Sequence, residues 1–180
     1  MPPKQRITRE MILERSFAMF CRDGMEAVNA RSVAKALNCS TQPIFSYFVG
    51  MDDLKGALEQ KAKETFEAAI HAYDKNGEPL VNVCVAYVRF AAEQPKLFAY
   101  LFMRPGHETD YPVLEDDERN ELIQLEAAAA NLPIDRAGVI AAAVVTYAHG
   151  LACAEAAGRY NFDTQYLVPR ISRIREALLK

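Results

Sequence analysis

Apolar residues recur along the 180-residue chain at intervals of three and four, the spacing that lines one face of an α-helix. No segment alternates apolar and polar with the period of a strand. Ile12, Ser16, Phe17 and Phe20 mark a first helix that Thr8 can cap and Gly24 can stop in a left-handed conformation. Asn29 suits the cap of a second helix with Val33, Ala34 and Leu37 on one side. A third helix is predicted over 42–48, with Pro43 in its first turn, where a missing N–H costs nothing. A long fourth helix is predicted over 52–73. Its acidic start suits the positive end of the helix dipole, and Leu54, Leu58, Phe66, Ile70 and Tyr73 supply its apolar face. Asn76-Gly77 reads as a turn, Pro79 opens a fifth helix that Pro95 ends, and a short sixth covers 96–103. The stretch 104–116 is the most loop-like part of the chain, and helices over 115–131, 134–159 and 164–179 complete the series. The pattern predicts an all-α protein of about nine helices without internal repeats. A small three-helix head over 1–51 precedes a larger helical bundle over 52–180.

The second and third predicted helices are separated by only about four residues, which fits a helix-turn-helix. Two helices that cross steeply need a small residue where they touch, and Ala34 supplies it. Four positions on, the turn favours left-handed backbone, which Asn38 tolerates. Six further on, Ile44 can point back into the core. Val33, Leu37, Cys39 and Tyr47 fall at the other positions expected to face that core.

The segment GMEAVNARSVAKALNCSTQPIFSYFVGMDDL, residues 24–54, resembles the DNA-binding head of the TetR family of transcriptional repressors. It has that family's progression of glycine stop, capped short helix, tight turn, aromatic-rich recognition helix and acidic start to helix four. The resemblance extends over residues 7–60, and Tyr147-Ala148-His149-Gly150-Leu151-Ala152 resembles the His-Gly-Leu segment of one class of TetR-type ligand domains. Three positions depart from the family. Asn38 stands where glycine is common, Phe45 where tyrosine is usual, and Met51 where lysine is usual. The last two remove groups able to touch phosphate, for which Tyr47 or Lys55 can compensate.

Composition and charge sharpen the picture. An apolar share of 51% and a charged share of 25% are ordinary for a soluble globular protein. The start, MPPKQRITRE, is charged and has no apolar stretch of a signal peptide. Four scattered cysteines (Cys21, Cys39, Cys84, Cys153) read as reduced thiols in a cytoplasmic protein, with a redox switch as the alternative. The net charge of −3 argues against a nucleic-acid partner, but its distribution does not. Residues 1–50 carry Lys4, Arg6, Arg9, Arg15, Arg22, Arg31 and Lys35 against Glu10, Glu14, Asp23 and Glu26, a balance of +3. The remaining fourteen basic and twenty acidic residues give −6 over 51–180. A basic head on an acidic body is expected when only the head meets a polyanion.

With the third helix in a major groove, Ser40, Thr41, Gln42, Pro43 and Ser46 meet base edges. Gln42 can pair bidentately with adenine, and Pro43 and the Thr41 methyl can touch a thymine methyl. Asn29, Arg31, Ser32, Tyr47 and Lys55, and Lys4 and Arg6 of the N-terminal arm, are placed for phosphates, which set register and salt dependence. Simpler roles compete: Asn29 and Ser40 as caps, Arg31 and Lys55 as solvated charges. One head offers little contact, so a homodimer on a palindromic operator is expected. Its interface should lie in the last two helices, where 139–158 is apolar almost all round and rich in small residues. That segment nears the length of a membrane span, but His149, Glu155 and the lack of a second such segment favour a buried interface helix. Leu167, Ile171, Ile174 and Leu178 would complete a four-helix interface.

Tyr87, Phe90, Phe98, Phe102, Met103, His107, Tyr111 and Tyr147 are either plain core or the lining of a pocket for an apolar or aromatic effector. No cofactor or metal is expected; a site from His107, Glu108 and Asp110 is conceivable, although loop carboxylates are usually solvated. Phosphate loop, nucleophile elbow and His-Glu-x-x-His are all missing, so no enzyme is expected. A helical protein-interaction module is the alternative to a DNA-binding regulator.

Overall fold

The computed structural model describes residues 7–72, 77–105 and 116–180, apart from the Glu118 side chain. Among these residues the chain forms nine α-helices and one 3-10 turn, and no strand. They are α1 (Arg9–Asp23), the 3-10 turn Met25–Ala27, α2 (Ala30–Ala36), α3 (Gln42–Tyr47), α4 (Met51–His71) and α5 (Pro79–Glu93). There follow α6 (Pro95–Phe102), α7 (Asp116–Ala130), α8 (Ile134–Ala156) and α9 (Thr164–Leu179). The all-α expectation holds, and each predicted helix is present. Tyr73, Asn76 and most of the predicted 104–116 loop lie outside the described residues. Two compact units, Met1–Thr65 and Phe66–Lys180, divide inside α4, whereas the boundary drawn from sequence falls at that helix's start.

In the first unit the helix ends follow from single residues. The Thr8 hydroxyl accepts the Met11 N–H at 3.2 Å and caps α1. Gly24 ends that helix at φ 90°, ψ 165°, outside the left-handed helical well and in a region open essentially to glycine alone. Asn29 and Ser32 form a reciprocal capping box: Asn29 Oδ1 accepts the Ser32 N–H at 3.0 Å, and Ser32 Oγ accepts the Asn29 N–H at 3.1 Å. After α2 the chain reverses through Asn38 at φ 51°, as the tight turn requires.

Ile12, Phe20, Val33, Ile44, Phe48, Leu54 and Leu58 are almost wholly buried and make the core of this unit, with Ala34 the small residue beside them. Leu37 and Cys39 sit half-buried at its margin. Tyr47 corrects its sequence assignment. It was expected to face the core but is 39% exposed, because Ile44 and Phe48, four apart, already occupy the inward side of so short a helix. Its hydroxyl donates instead to the Ile7 carbonyl at 3.2 Å.

In the second unit α5 is the central helix. It packs most extensively on α8 and also touches α9, α6 and α7. Leu80, Val81, Val83, Cys84, Val85, Tyr87, Val88, Phe90 and Ala91 are all buried, so this helix is apolar on almost every side. α8 buries Ala137, Ile140, Ala141, Val144, Val145, Ala148 and Ala152, while Val139 on another face is 70% exposed. By length and composition alone α8 could cross a membrane. Leu167 and Ile171 correct a second expectation: both are buried within the chain, so only part of the α9 stripe assigned to an interface points outward.

Candidate nucleic-acid interface and effector site

α3 has six residues, and two contacts decide what it presents. Ile44 and the flanking Phe48 are 0% and 1% exposed and fix the inward side. Ser40, Gln42, Phe45 and Ser46 are consequently exposed, and Thr41 and Pro43 half-buried. Thr41 stands at the N-cap but makes no side-chain cap bond there, and Pro43 lies in the first turn. The Ser46 hydroxyl donates to the Gln42 carbonyl at 3.0 Å, which leaves the Gln42 amide as the polar group best able to reach outward. Ser40, Gln42, Pro43 and Ser46, together with Leu37, Asn38, Cys39 and Tyr47, also border an open groove against Ile7 and Met11.

The residues assigned to phosphates fall in two groups. Arg31 is exposed and Lys55 half-buried. Asn29 is exposed but its Oδ1 serves the capping box, and Ser32 is half-buried with its hydroxyl donating to the Ala27 carbonyl at 2.7 Å. Ser40, the other residue with a competing cap assignment, is not the N-cap of α3, a position that Thr41 takes. Lys4 and Arg6 lie outside the described residues. Arg9, given no role from sequence, stacks its guanidinium over the Phe48 ring at 4.9 Å and so steadies the end of α3.

In the second unit the predicted lining residues divide. Tyr87, Phe90, Phe98 and Phe102 form one aromatic cluster together with Phe66 of α4. Phe66 lies 6.0 Å from Tyr87, 5.2 Å from Phe90 and 4.8 Å from Phe102, each edge to face. Tyr87 meets Phe98 at 5.4 Å and Phe102 at 5.6 Å. Met103 is 44% exposed at the end of α6. Tyr147 faces α9, where Arg170 Nε donates to its hydroxyl at 3.1 Å. His107 and Tyr111, and the conceivable metal ligands Glu108 and Asp110, lie outside the described residues.

The polar partners of Tyr87 in this cluster were not assigned to it from sequence. Tyr87 Oη stands 2.8 Å from His149 Nδ1, and His149 Nε2 stands 3.4 Å from Cys153 Sγ. Burial raises the Tyr87 phenol and lowers the His149 imidazole, so both are neutral at pH 7. With one proton on the ring, one of its two nitrogens donates and the other accepts, so the tautomer sets whether Tyr87 donates to Nδ1 or receives from it. Burial likewise raises the Cys153 thiol. The neighbouring Cys84 is pushed up to about 12 by complete burial and is chemically inert. Phe66, read as part of the apolar face of α4, and His149, read in the His-Gly-Leu segment, were not placed beside Tyr87 because the pairing joins different helices, Tyr87 and His149 being 62 positions apart.

An all-helical chain with an exposed helix-turn-helix and a separate helical body belongs to the class of DNA-binding transcriptional regulators. The profile of the tetracyclin repressor-like C-terminal domain matches residues 80–170, just over half of the chain, and the chain belongs to the TetR family. Among solved structures it is similar to a TetR-like regulator from Rhodococcus sp. RHA1, at 16% identity over 95% of this chain and 97% of that one, with a TM-score of 0.63. It is also similar to a TetR-family regulator from Streptomyces coelicolor, at 18% identity over 94% of this chain and 78% of that one, with a TM-score of 0.64. A third, the multidrug binding protein EbrR complexed with imidazole, shares 15% identity over 94% of this chain and 95% of that one, with a TM-score of 0.57. No curated protein matches as a relative. TetR-family regulators bind DNA and small molecules, act as dimers and are generally not enzymes.

Proposed function

We propose that this chain is a cytoplasmic, non-enzymatic repressor that holds a palindromic operator as a homodimer and releases it when a small apolar or aromatic ligand enters the body. The observation that carries the DNA half is the exposure of Gln42 on a helix whose opposite side is locked by Ile44 and Phe48. That is the arrangement a recognition helix needs to put a bidentate amide against adenine. Ser40, Thr41, Pro43 and Ser46 are its neighbours at the base edges. Arg31, Lys55, Tyr47, Asn29, Ser32, Lys4 and Arg6 are the phosphate set.

The head is residues 1–51, and the body from residue 52 onward carries dimerisation and ligand. The dimer forms through the outward faces of α8 and α9. The ligand is received by the aromatic cluster around Tyr87, with Met103, Tyr147, His107 and Tyr111 as further lining. EbrR, a fold neighbour, is a multidrug binder solved with a small ring, which favours this ligand class. Ligand selects one placement of the two heads, and only the other spans successive major grooves.

The test is binding of the purified chain to duplexes selected from a random pool. Expected are a palindromic site, affinity that falls steeply with salt, and loss of binding when Gln42 and Tyr47 are both replaced by alanine. Selection of no duplex, with no salt-dependent DNA binding, would remove the DNA half and leave the protein-interaction module as the alternative. Aromatic ligands that bind the body without altering operator affinity would remove the effector half.

A further inference from the structure

Phe45 is 51% exposed on a helix that otherwise turns polar atoms outward. At about 100° per residue, Gln42 and Ser46 lie opposite the buried Ile44 and Phe48, and Phe45 and Tyr47 stand to either side of them. The two flanks differ chemically. Tyr47 ends in a hydroxyl that already engages the Ile7 carbonyl. Phe45 offers no polar atom, and Val49, four positions on, is 98% exposed. The Val49 N–H is held by the Asp53 carboxylate at 3.0 Å, with exposed Asp52 beside it in the chain. A bare ring followed by exposed valine and carboxylates does not suit a phosphate, which seeks cations and N–H or O–H donors. It suits apolar atoms of the duplex, and the apolar group displayed in the major groove is the C5 methyl of thymine.

We propose that Phe45 is a specificity-determining residue that reads a thymine methyl at one wall of the major groove. The proposal rests on the DNA-binding reading above and names a base feature for a side chain that reading leaves unused. Such a contact adds affinity through buried apolar area, so it discriminates sequence without adding to the salt dependence.

The experiment replaces thymine by deoxyuridine, one position at a time, in duplexes selected by the full chain. This removes a methyl group and nothing else. Expected is one thymine per half-site at which the exchange weakens wild-type binding by about five-fold and leaves the Phe45→Ala variant unaffected. The slope of affinity against salt should be the same for Phe45→Ala and wild type, while Arg31→Ala lowers it. Phe45 is not packed in the core, so an unchanged helical signal and unfolding midpoint establish that the variant is folded. Phe45→Leu, which keeps an apolar side chain, should retain part of the thymine preference. Equal sensitivity of wild type and Phe45→Ala at every thymine would overturn the proposal, as would a fall in salt slope on losing the ring. Failure of the wild-type chain to select any duplex overturns the DNA-binding reading itself, which is a different result.

Discussion

Asn38 holds φ at 51° because the chain must turn between α2 and α3 within a few residues, and its short polar side chain tolerates the left-handed well better than most. Replacement by valine should cost about 1–2 kcal/mol, since a β-branched residue resists that well, whereas glycine should change stability by less than about 0.5 kcal/mol. Urea unfolding of the two variants side by side checks this; equal losses would mean that the side chain and not the backbone sets the cost. His149 gives a second prediction at this scale. Burial lowers it from the ordinary 6.5, so the unfolded chain takes up its proton at a higher pH than the folded chain does. The stability that accompanies the neutral ring is therefore complete above about pH 6.5 and is lost as pH falls from there through the folded value. Denaturation midpoints should drop on acidification from about pH 8 to about pH 5, and His149→Gln should flatten part of that drop. Parallel curves for the two proteins would contradict it.

Three helices of the body are tied at one arginine. Arg175 of α9 donates from Nε to Glu126 of α7 at 2.7 Å and from Nη1 to Glu78, the residue before α5, at 3.0 Å. The Ser172 hydroxyl donates to the other Glu78 oxygen at 2.9 Å. Glu126 is 1% exposed and its Oε2 has no partner among the described residues, so the guanidinium is its counter-charge there. Arg175→Ala should cost about 3–5 kcal/mol because it strands that carboxylate, while the double change Arg175→Met with Glu126→Leu should restore most of the loss. Thermal unfolding of both variants decides it; a double variant as weak as the single one would show that ionic geometry, not stranded charge, holds α9. None of this was legible in the sequence, where positions 78, 126 and 175 share no pattern. The head was legible because its logic is local: Ala34, Asn38 and Ile44 fall within eleven residues and each answers one steric need. Helix identities were legible for the same reason, periodicity being a property of neighbours. Direction was not. Leu167 and Ile171 read as apolar from sequence, but only packing against the rest of the body shows that they face inward. Tyr47 read as core for want of knowing that Phe48 would take the inward place.

At the scale of the whole molecule, a head balance of +3 and a body balance of −6 fit a chain whose head meets DNA, and in the proposed homodimer the body holds two heads together. On the reading proposed above, α8 is the element that does so. One side packs on α5 and α7, and another leaves Val139 70% exposed and Gly150 exposed. Small residues on an uncovered helix face let a second backbone approach, and an isologous pairing covers both copies at once. Gly150 separates this reading from a merely exposed helix. A Cβ built there meets nothing within 4 Å in the isolated chain, and the position is exposed, so a side chain can leave the helix toward solvent. Since glycine within a helix costs about 0.5–1 kcal/mol relative to alanine, Gly150→Leu should stabilise the protomer by a similar amount. In the proposed dimer the same leucine would stand between two facing helices and should raise the dissociation constant by about ten-fold or more, equivalent to at least about 1.4 kcal/mol. Unfolding at low concentration and sedimentation at rising concentration thus move in opposite directions. Operator binding should fall with the dimer, because one head reaches only one half-site. A Gly150→Leu protein that sediments as a dimer with wild-type affinity would place the twofold contact elsewhere on the molecule.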